Sequence, residues 1–210
     1  MINILIVDDH LIVREGLKRI INETPDIKTA AEASSGQEAM DLIYKNKYDL
    51  ILLDISMPKQ NGLQTLKLIK KHDKTIPVLM LSMHSEEQYA MRSIKAGASG
   101  YITKDTASSQ LVTAIRKIND GRKFISTEVA ELLATDLYHD DEKDPHENLS
   151  DREFEILKMI AHGRTVKSIA EELSISPKTV STYRSRILEK LDIKNNADII
   201  HYVIDYKLGD

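Results

Sequence analysis

Short apolar runs punctuate the first half of the chain, and each ends in a polar side chain. Ile4–Val7 ends in Asp8 and Asp9, Leu50–Leu53 in Asp54, and Val78–Leu81 in Ser82, while Gly100–Ile102 leads to Lys104. Continuous rather than alternating runs mark strands buried on both faces. With them, Ile2–Val7, Ile27–Glu32, Leu50–Leu53, Val78–Leu81 and Gly100–Ile102 make five strand candidates. Between them, apolar residues recur at helical spacing over Val13–Asn22, Gln37–Tyr44, Leu63–Lys71, Glu87–Ala96 and Ser109–Asp120. Five strand–helix alternations predict an α/β domain around a five-stranded parallel doubly wound sheet. A further amphipathic helix starts at Ser126, a suitable N-cap, with Val129, Leu132, Leu133 and Leu137 along one side.

From Leu149 the pattern becomes purely helical. Ser150-Asp151-Arg152-Glu153 is a capping box opening a helix that carries Phe154, Ile156, Leu157 and Ile160, and Gly163 stops it. Val166–Leu173 is a short second helix. Ile175-Ser176-Pro177 is a turn, with Ser176 as N-cap and Pro177 at the first helical position of a third helix that runs to Leu191. Asn195 or Asn196 caps a fourth, with Ile199, Ile200, Val203 and Ile204 apolar. Between the two halves, His139–Asn148 has no hydrophobic period, contains Pro145 and reads as a solvated linker. The expected division is a first domain over 1–125, a helix and acidic linker over 126–148, and a small all-α four-helix domain over 149–210.

Composition changes this picture little. The 210 residues suit two small domains, and 41% hydrophobic with 30% charged residues reads as soluble and globular. No apolar stretch approaches the ~20 residues that span a bilayer. The N-terminus enters a strand and meets acid at Asp8, so it does not read as a signal peptide. Without cysteine there is neither a disulfide framework nor thiolate chemistry, and a cytoplasmic location is expected. The net charge of −4 is uneven: +1 over 1–135, −5 over 136–148 and zero over 149–210. Overall charge therefore argues neither for nor against nucleic acid, and local patterning decides.

The polar run-ends carry the candidate chemistry. In an open α/β sheet, ligands sit at the carboxyl ends of strands, where strand order switches. Asp8, Asp9 and Asp54 would meet there, and three adjacent carboxylates resist simultaneous ionisation unless a cation joins them. Mg2+ favours a few carboxylates with water and phosphate oxygens. A carboxylate can accept a phosphoryl group covalently, and that transfer asks mainly for positioning and charge neutralisation. Lys104 supplies a compact positive charge, Ser82 a hydroxyl donor able to report on the new group, and Tyr101 a ring that follows by changing rotamer. His10 and His84 border the site. Each residue alone has a bland reading as cap, loop or core; their joint occurrence at four strand ends makes the pattern specific.

Val7-Asp8-Asp9-His10, Asp54-Ile55-Ser56-Met57-Pro58 with Gly62, Ser82, and Gly100-Tyr101-Ile102-Thr103-Lys104 resemble the receiver domain of bacterial response regulators, a flavodoxin- or CheY-like fold. The resemblance covers about the first 125 residues. It implies that Asp54 takes phosphate from a sensor histidine kinase, and that Asp9, Asp54 and the Ser56 carbonyl hold Mg2+, with Asp8 acting partly through water. Many receivers have proline after the lysine, where this chain has Asp105, and threonine where it has Ser82.

In the third helix of the second domain, Val180, Tyr183, Ile187 and Leu191 form the stripe expected to be buried. Lys178, Ser181, Thr182 and Ser185 share the opposite face, short or flexible side chains suited to base edges. Arg184 and Arg186 flank it, Thr179 lies at its start, and Arg164 and Lys167 sit near the preceding helix. No acid occurs from Leu173 to Leu188, which leaves a local basic surface for phosphate contact. Leu149-Ser150-x-Arg152-Glu153, Ile169-Ala170-x-x-Leu173-x-Ile175-Ser176-x-x-Thr179-Val180 and Lys190-Leu191 resemble the helix-turn-helix output domain of the NarL/FixJ and LuxR families. The run from Ser176 to Arg186 is similar to the GacA/UvrY subgroup, and Ser181 and Tyr183 stand where the family commonly has lysine and histidine.

Together the two resemblances imply a response regulator rather than an enzyme. Phosphorylation of Asp54 would switch homodimerisation and binding to promoter double-stranded DNA, with the fourth helix, Ala197–Tyr206, as a dimer surface. A phosphohydrolase with an aspartyl-phosphate intermediate would place a second Asp two residues after the nucleophile, where this chain has Ser56. A receiver that switches without phosphorylation would not need the full acidic set.

Overall fold

A computed structural model describes residues 1–58, 60–83, 87–138, 144–206 and 208, and within these leaves aside the side chains of 87, 88, 128, 132 and 135–138. Contacts divide the chain into two units, Met1–Leu132 and Leu133–Asp210.

The first unit is built on five parallel strands, β1 (Ile2–Val7), β2 (Ile27–Ala33), β3 (Leu50–Asp54), β4 (Val78–Ser82) and β5 (Gly100–Thr103), in the order β2-β1-β3-β4-β5. Helices α1 (Leu11–Asn22), α2 (Gly36–Lys45), α3 (Gly62–His72), α4 (Glu87–Lys95) and α5 (Lys104–Asn119) connect and follow them. Every residue of β3 and β4 is buried, which is why these strands read as unbroken apolar runs. On one face Ile4, Ile6, Leu50, Leu52, Leu79 and Leu81 pack with Leu17 and Ile21 of α1 and Leu111, Ala114 and Ile115 of α5. Strand order reverses between β1 and β3, and Val7 pairs with Leu53. The residues that follow these two partners, Asp8 and Asp54, therefore emerge side by side at the switch point.

Helix α5 begins at Lys104, five residues before the start predicted from periodicity. The reason is local. The Thr103 hydroxyl accepts from the Thr106 amide, and Asp105 occupies the first turn, where an acid suits the helix dipole. Helix α6 (Thr127–Tyr138) follows, with Ser126 Oγ accepting from the Val129 amide and Val129 buried. The side chains of Leu132 and Leu137, assigned to its apolar side, lie outside the described residues, as do His84 and residues 139–143 of the acidic segment.

The second unit carries α7 (Asp151–Ala161), α8 (Val166–Glu172), α9 (Pro177–Leu191) and α10 (Asn196–Asp205). The capping box is present in both directions, Ser150 with Glu153, and Lys190 Nζ reaches the same Glu153 carboxylate at 2.7 Å, tying α7 to α9. Gly163 takes the left-handed φ of 75° that ends α7. Phe154, Ile156, Leu157, Val180, Ile187 and Ile199 are fully buried. Tyr183 is only half-buried, a correction to the buried stripe, because its ring borders a hollow with Ser176, Lys178, Thr179, Thr182 and Arg186.

The solvated-linker reading also needs correction at its end. Pro145–Asn148 forms a 3-10 turn, and His146 is buried, 3% exposed. Its backbone N–H donates to the Tyr202 hydroxyl at 3.2 Å, and its ring meets Tyr206 edge-on. Among the described residues, no helix is long and apolar enough to cross a membrane.

Candidate functional site

Asp8 and Asp54 are completely buried at the ends of β1 and β3, a costly place for two carboxylates. Lys104, at the head of α5, approaches both: its Nζ stands 2.7 Å from Asp8 Oδ2 and 2.9 Å from Asp54 Oδ1. Asp9 is partly exposed, and the His10 ring lies over the pair, with Nδ1 3.1 Å from Asp9 Oδ1 and 3.4 Å from Asp8 Oδ1. The His10 backbone N–H donates to Asp8 Oδ1 at 2.8 Å. Carboxylate oxygens of Asp8, Asp9 and Asp54 and a nitrogen of His10 all fall within 4.8 Å of one another.

This cluster is short of positive charge. Asp8 Oδ2, Asp9 Oδ1 and both Asp54 oxygens are buried without a hydrogen-bond donor in good geometry, so the ammonium and the imidazole nitrogen only partly serve them. Burial is the main reason that the Asp54 carboxyl is pushed up to about 6, with Asp8 adding to the rise; Lys104 and the Ser56 amide act in the opposite direction. For Lys104, burial lowers the ammonium, but Asp54 and Asp8 outweigh it and hold the group above its usual range.

Sequence reasoning brought Asp8, Asp9, Asp54 and Lys104 to one edge, and the structure joins them there. Ser82 is fully buried at the end of β4, opposite Thr103 in register. Tyr101 is half-buried on β5, where its amide donates to the Phe124 carbonyl at 3.0 Å. Its side chain lines a hollow of about 440 Å³ with Thr106, Phe124, Ile125 and Val129. Ser56 is half-exposed two residues beyond Asp54.

Two further residues support the site: one, Arg14, was missed, and the other stood in the motif without its physical reason. Arg14 Nη1 donates to the Asp8 carbonyl at 2.6 Å and so fixes the backbone that aims Asp8. Its signal was a basic residue on the first turns of the helix that follows an acidic strand end. Gly62 is the other. A Cβ there would lie 1.9 Å from the Asp54 carbonyl oxygen, because α3 starts against the end of β3. Gly62→Ala is expected to displace the Asp54 backbone, cost about 1–3 kcal/mol by overpacking, and slow covalent modification of Asp54 by up to about 100-fold. Thermal melting and the labelling rate with acetyl phosphate check this; wild-type values in both would refute the close-approach argument.

In the second unit, Lys178, Ser181, Thr182, Ser185 and Arg186 are exposed on α9, with Thr179 and Arg184 half-buried, and Lys167 is exposed on α8. The hydroxyls of Ser181, Thr182 and Ser185 each donate to the carbonyl four residues earlier, at 3.0–3.1 Å. Their oxygens are thereby held close to the helix and face outward as acceptors. The arrangement is a basic helix face with short side chains at its centre.

Residues 4–116 match the response regulator receiver domain family, and residues 147–203 match the luxR family of bacterial regulatory proteins. Response regulator UvrY of Escherichia coli (strain K12) is 36% identical over 209 residues, covering 99% of this chain and 96% of that protein. Response regulator GacA of Pseudomonas aeruginosa is 34% identical over 211 residues, covering 100% and 99%. The fold also resembles that of the two-component response regulator RcsB solved in complex with DNA, with a TM-score of 0.60 at 25% identity over 96% of this chain and 97% of that one. The buried acidic cluster with its lysine and the basic helix face thus belong to one known design, and this chain is a member of the two-component response regulators that join a receiver domain to a luxR-family DNA-binding domain and control transcription.

Proposed function

We propose that Asp54 is the phosphoacceptor and that a sensor histidine kinase is the donor. The observation that carries this reading is the fully buried Asp54 carboxylate, beside Asp8 at the strand-order switch and 2.9 Å from Lys104. An Asp54 oxygen attacks phosphorus while the phosphorus–nitrogen bond to the kinase histidine breaks, and the imidazole leaves. Lys104 stays protonated and meets a phosphoryl oxygen. Ser82 donates to another. The chain does not turn over a substrate; the acquired charge is the signal.

The underserved oxygens of Asp8, Asp9 and Asp54 fit a hard divalent cation. Asp9, Asp54 and the Ser56 carbonyl would hold Mg2+, with Asp8 acting partly through water. The ion supplies neutralisation of the charge that gathers as phosphate meets carboxylate. Inward movement of Ser82 and Lys104 then favours a different Tyr101 rotamer, and the hollow beside that ring gives it room. The populations of the α4–β5–α5 surface shift with it.

The output unit reads DNA with α9. Lys178, Thr179, Ser181, Thr182 and Ser185 face the major groove, while Arg184, Arg186 and Lys167 meet phosphates. One such domain binds weakly, and a homodimer matched to two half-sites binds far better. On α10, Ile199 and Val203 turn inward whereas Ile200 and Ile204 are 38% and 65% exposed, which supports pairing through this helix. The compartment is the cytoplasm, where promoter DNA and the kinase's phosphorylated domain are both available. Asp54→Asn is expected to abolish labelling by acetyl phosphate with Mg2+; a variant that still takes up label would overturn the assignment.

A further inference from the structure

We propose that Asn196 is a positioning residue for DNA binding, holding Arg184 so that its guanidinium meets a backbone phosphate beside α9. This deepens the DNA-contact reading above and rests on it. Arg184 Nε donates to Asn196 Oδ1 at 2.6 Å, joining α9 to the first residue of α10. At 100° per residue, Lys178, Ser181, Thr182 and Ser185 share one face of α9, and Arg184 and Arg186 stand on its two sides. Those sides run along the groove walls when a helix lies in the major groove, and the walls are phosphate.

An arginine held through Nε keeps both of its terminal amino groups, the fork that a phosphate oxygen pair accepts. Among the described residues the Arg184 guanidinium makes no ion pair, so the amide oxygen orients the charge without neutralising it. Asn196 is itself well placed for this. Asn195 Oδ1 accepts from the Ala197 and Asp198 amides, and Asp198 Oδ2 accepts from the Lys194 and Asn195 amides. The turn that presents Asn196 is thus fixed from both directions, while its own side chain is exposed and packs no core. A side chain ordered before binding has less freedom to lose on binding.

The test uses the full chain and a fluorescent duplex of arbitrary sequence, because phosphate contacts do not depend on sequence. Binding is followed by anisotropy over about 50–200 mM salt. Arg184→Ala is expected to weaken binding about 10-fold and to reduce the slope of log K against log salt by about 0.9. Asn196→Ala is expected to weaken it about 3- to 10-fold with the slope unchanged, since the charge remains but is less ordered. Asn196→Asp keeps the acceptor and adds a negative charge, so it should weaken binding more than Asn196→Ala. The double variant R184A/N196A should bind no more weakly than R184A alone.

Wild-type binding by N196A would overturn the proposal. So would a loss on N196A that persists undiminished in the R184A background, because that loss would be structural. Lys178→Ala and Arg186→Ala separate the two levels: if they too leave binding intact, the DNA-face reading fails, and if they weaken it while N196A does not, only the Arg184–Asn196 pairing fails.

Discussion

Without divalent metal at pH 8, Asp54→Asn will melt about 10 °C above the unmodified chain, and added Mg2+ will narrow the gap by raising the unmodified chain alone. The effect follows from burial. The Asp54 carboxyl sits at about 6 in the folded chain against an ordinary 3.8, and burial is the leading cause. A carboxyl raised by folding binds its proton more tightly in the folded state. Its favourable contribution is therefore complete below the unfolded value near 3.8 and is lost as pH rises through about 6. Above that, the ionised buried group costs roughly 3 kcal/mol, from about two pKa units at 1.36 kcal/mol each. Asparagine keeps the shape and removes the charge, and Lys104 retains Asp8 at 2.7 Å. The gap should close as pH falls toward 4. Calorimetric melts at several pH values check it; equal melting at pH 8 without metal would show that Asp54 is not held in an unfavourable charged state. Such a carboxylate is poised to accept whatever brings positive charge or forms a bond.

The site was legible because its logic is one-dimensional. A parallel strand buried on both faces must be a continuous apolar run, so the residue at its carboxyl end is fixed by simple counting. Asp8, Asp54 and Lys104 were reachable this way. Arg14 was not, since its role depends on a helical side chain turning back to the Asp8 carbonyl. Gly62 was visible as a motif residue, yet its reason, the 1.9 Å approach to the Asp54 carbonyl, exists only in three dimensions.

The same distinction runs through the output unit. Its helices were marked by local chemistry: Ser150 with Glu153, Ser176 with Pro177, and Asn195 or Asn196 at the head of α10, of which Asn195 is the cap. His146 gave no such sign. It lies in a charged, proline-containing stretch with no apolar period, and the group that satisfies it, the Tyr202 hydroxyl, is 56 residues away. Periodicity also marked Ile199, Ile200, Val203 and Ile204 equally as apolar, whereas packing covers only Ile199 and Val203. Spacing identifies a face; it does not say which neighbour covers it.

Phe154→Ala will remove DNA binding while leaving phosphorylation of Asp54 at its normal rate. Among the described residues Phe154 is the largest fully buried side chain, and it lies on α7, which packs against α8, α9 and α10. Truncating a buried phenylalanine costs about 3–5 kcal/mol. A unit of this size has little beyond that to lose, because small domains bury a smaller share of their surface. The receiver unit keeps its own core between the sheet and α1 and α5, in which Phe154 has no part. Circular dichroism should show the helical unit melting at much lower temperature, and limited proteolysis should release a receiver fragment that acetyl phosphate still labels. Parallel loss of labelling would mean that the two units fold as one cooperative body. The acidic pocket needs only the strand ends and helices of the receiver unit, with Lys104 at the head of α5, whereas the helix proposed to contact DNA needs a whole small core behind it, so the two activities should fail separately.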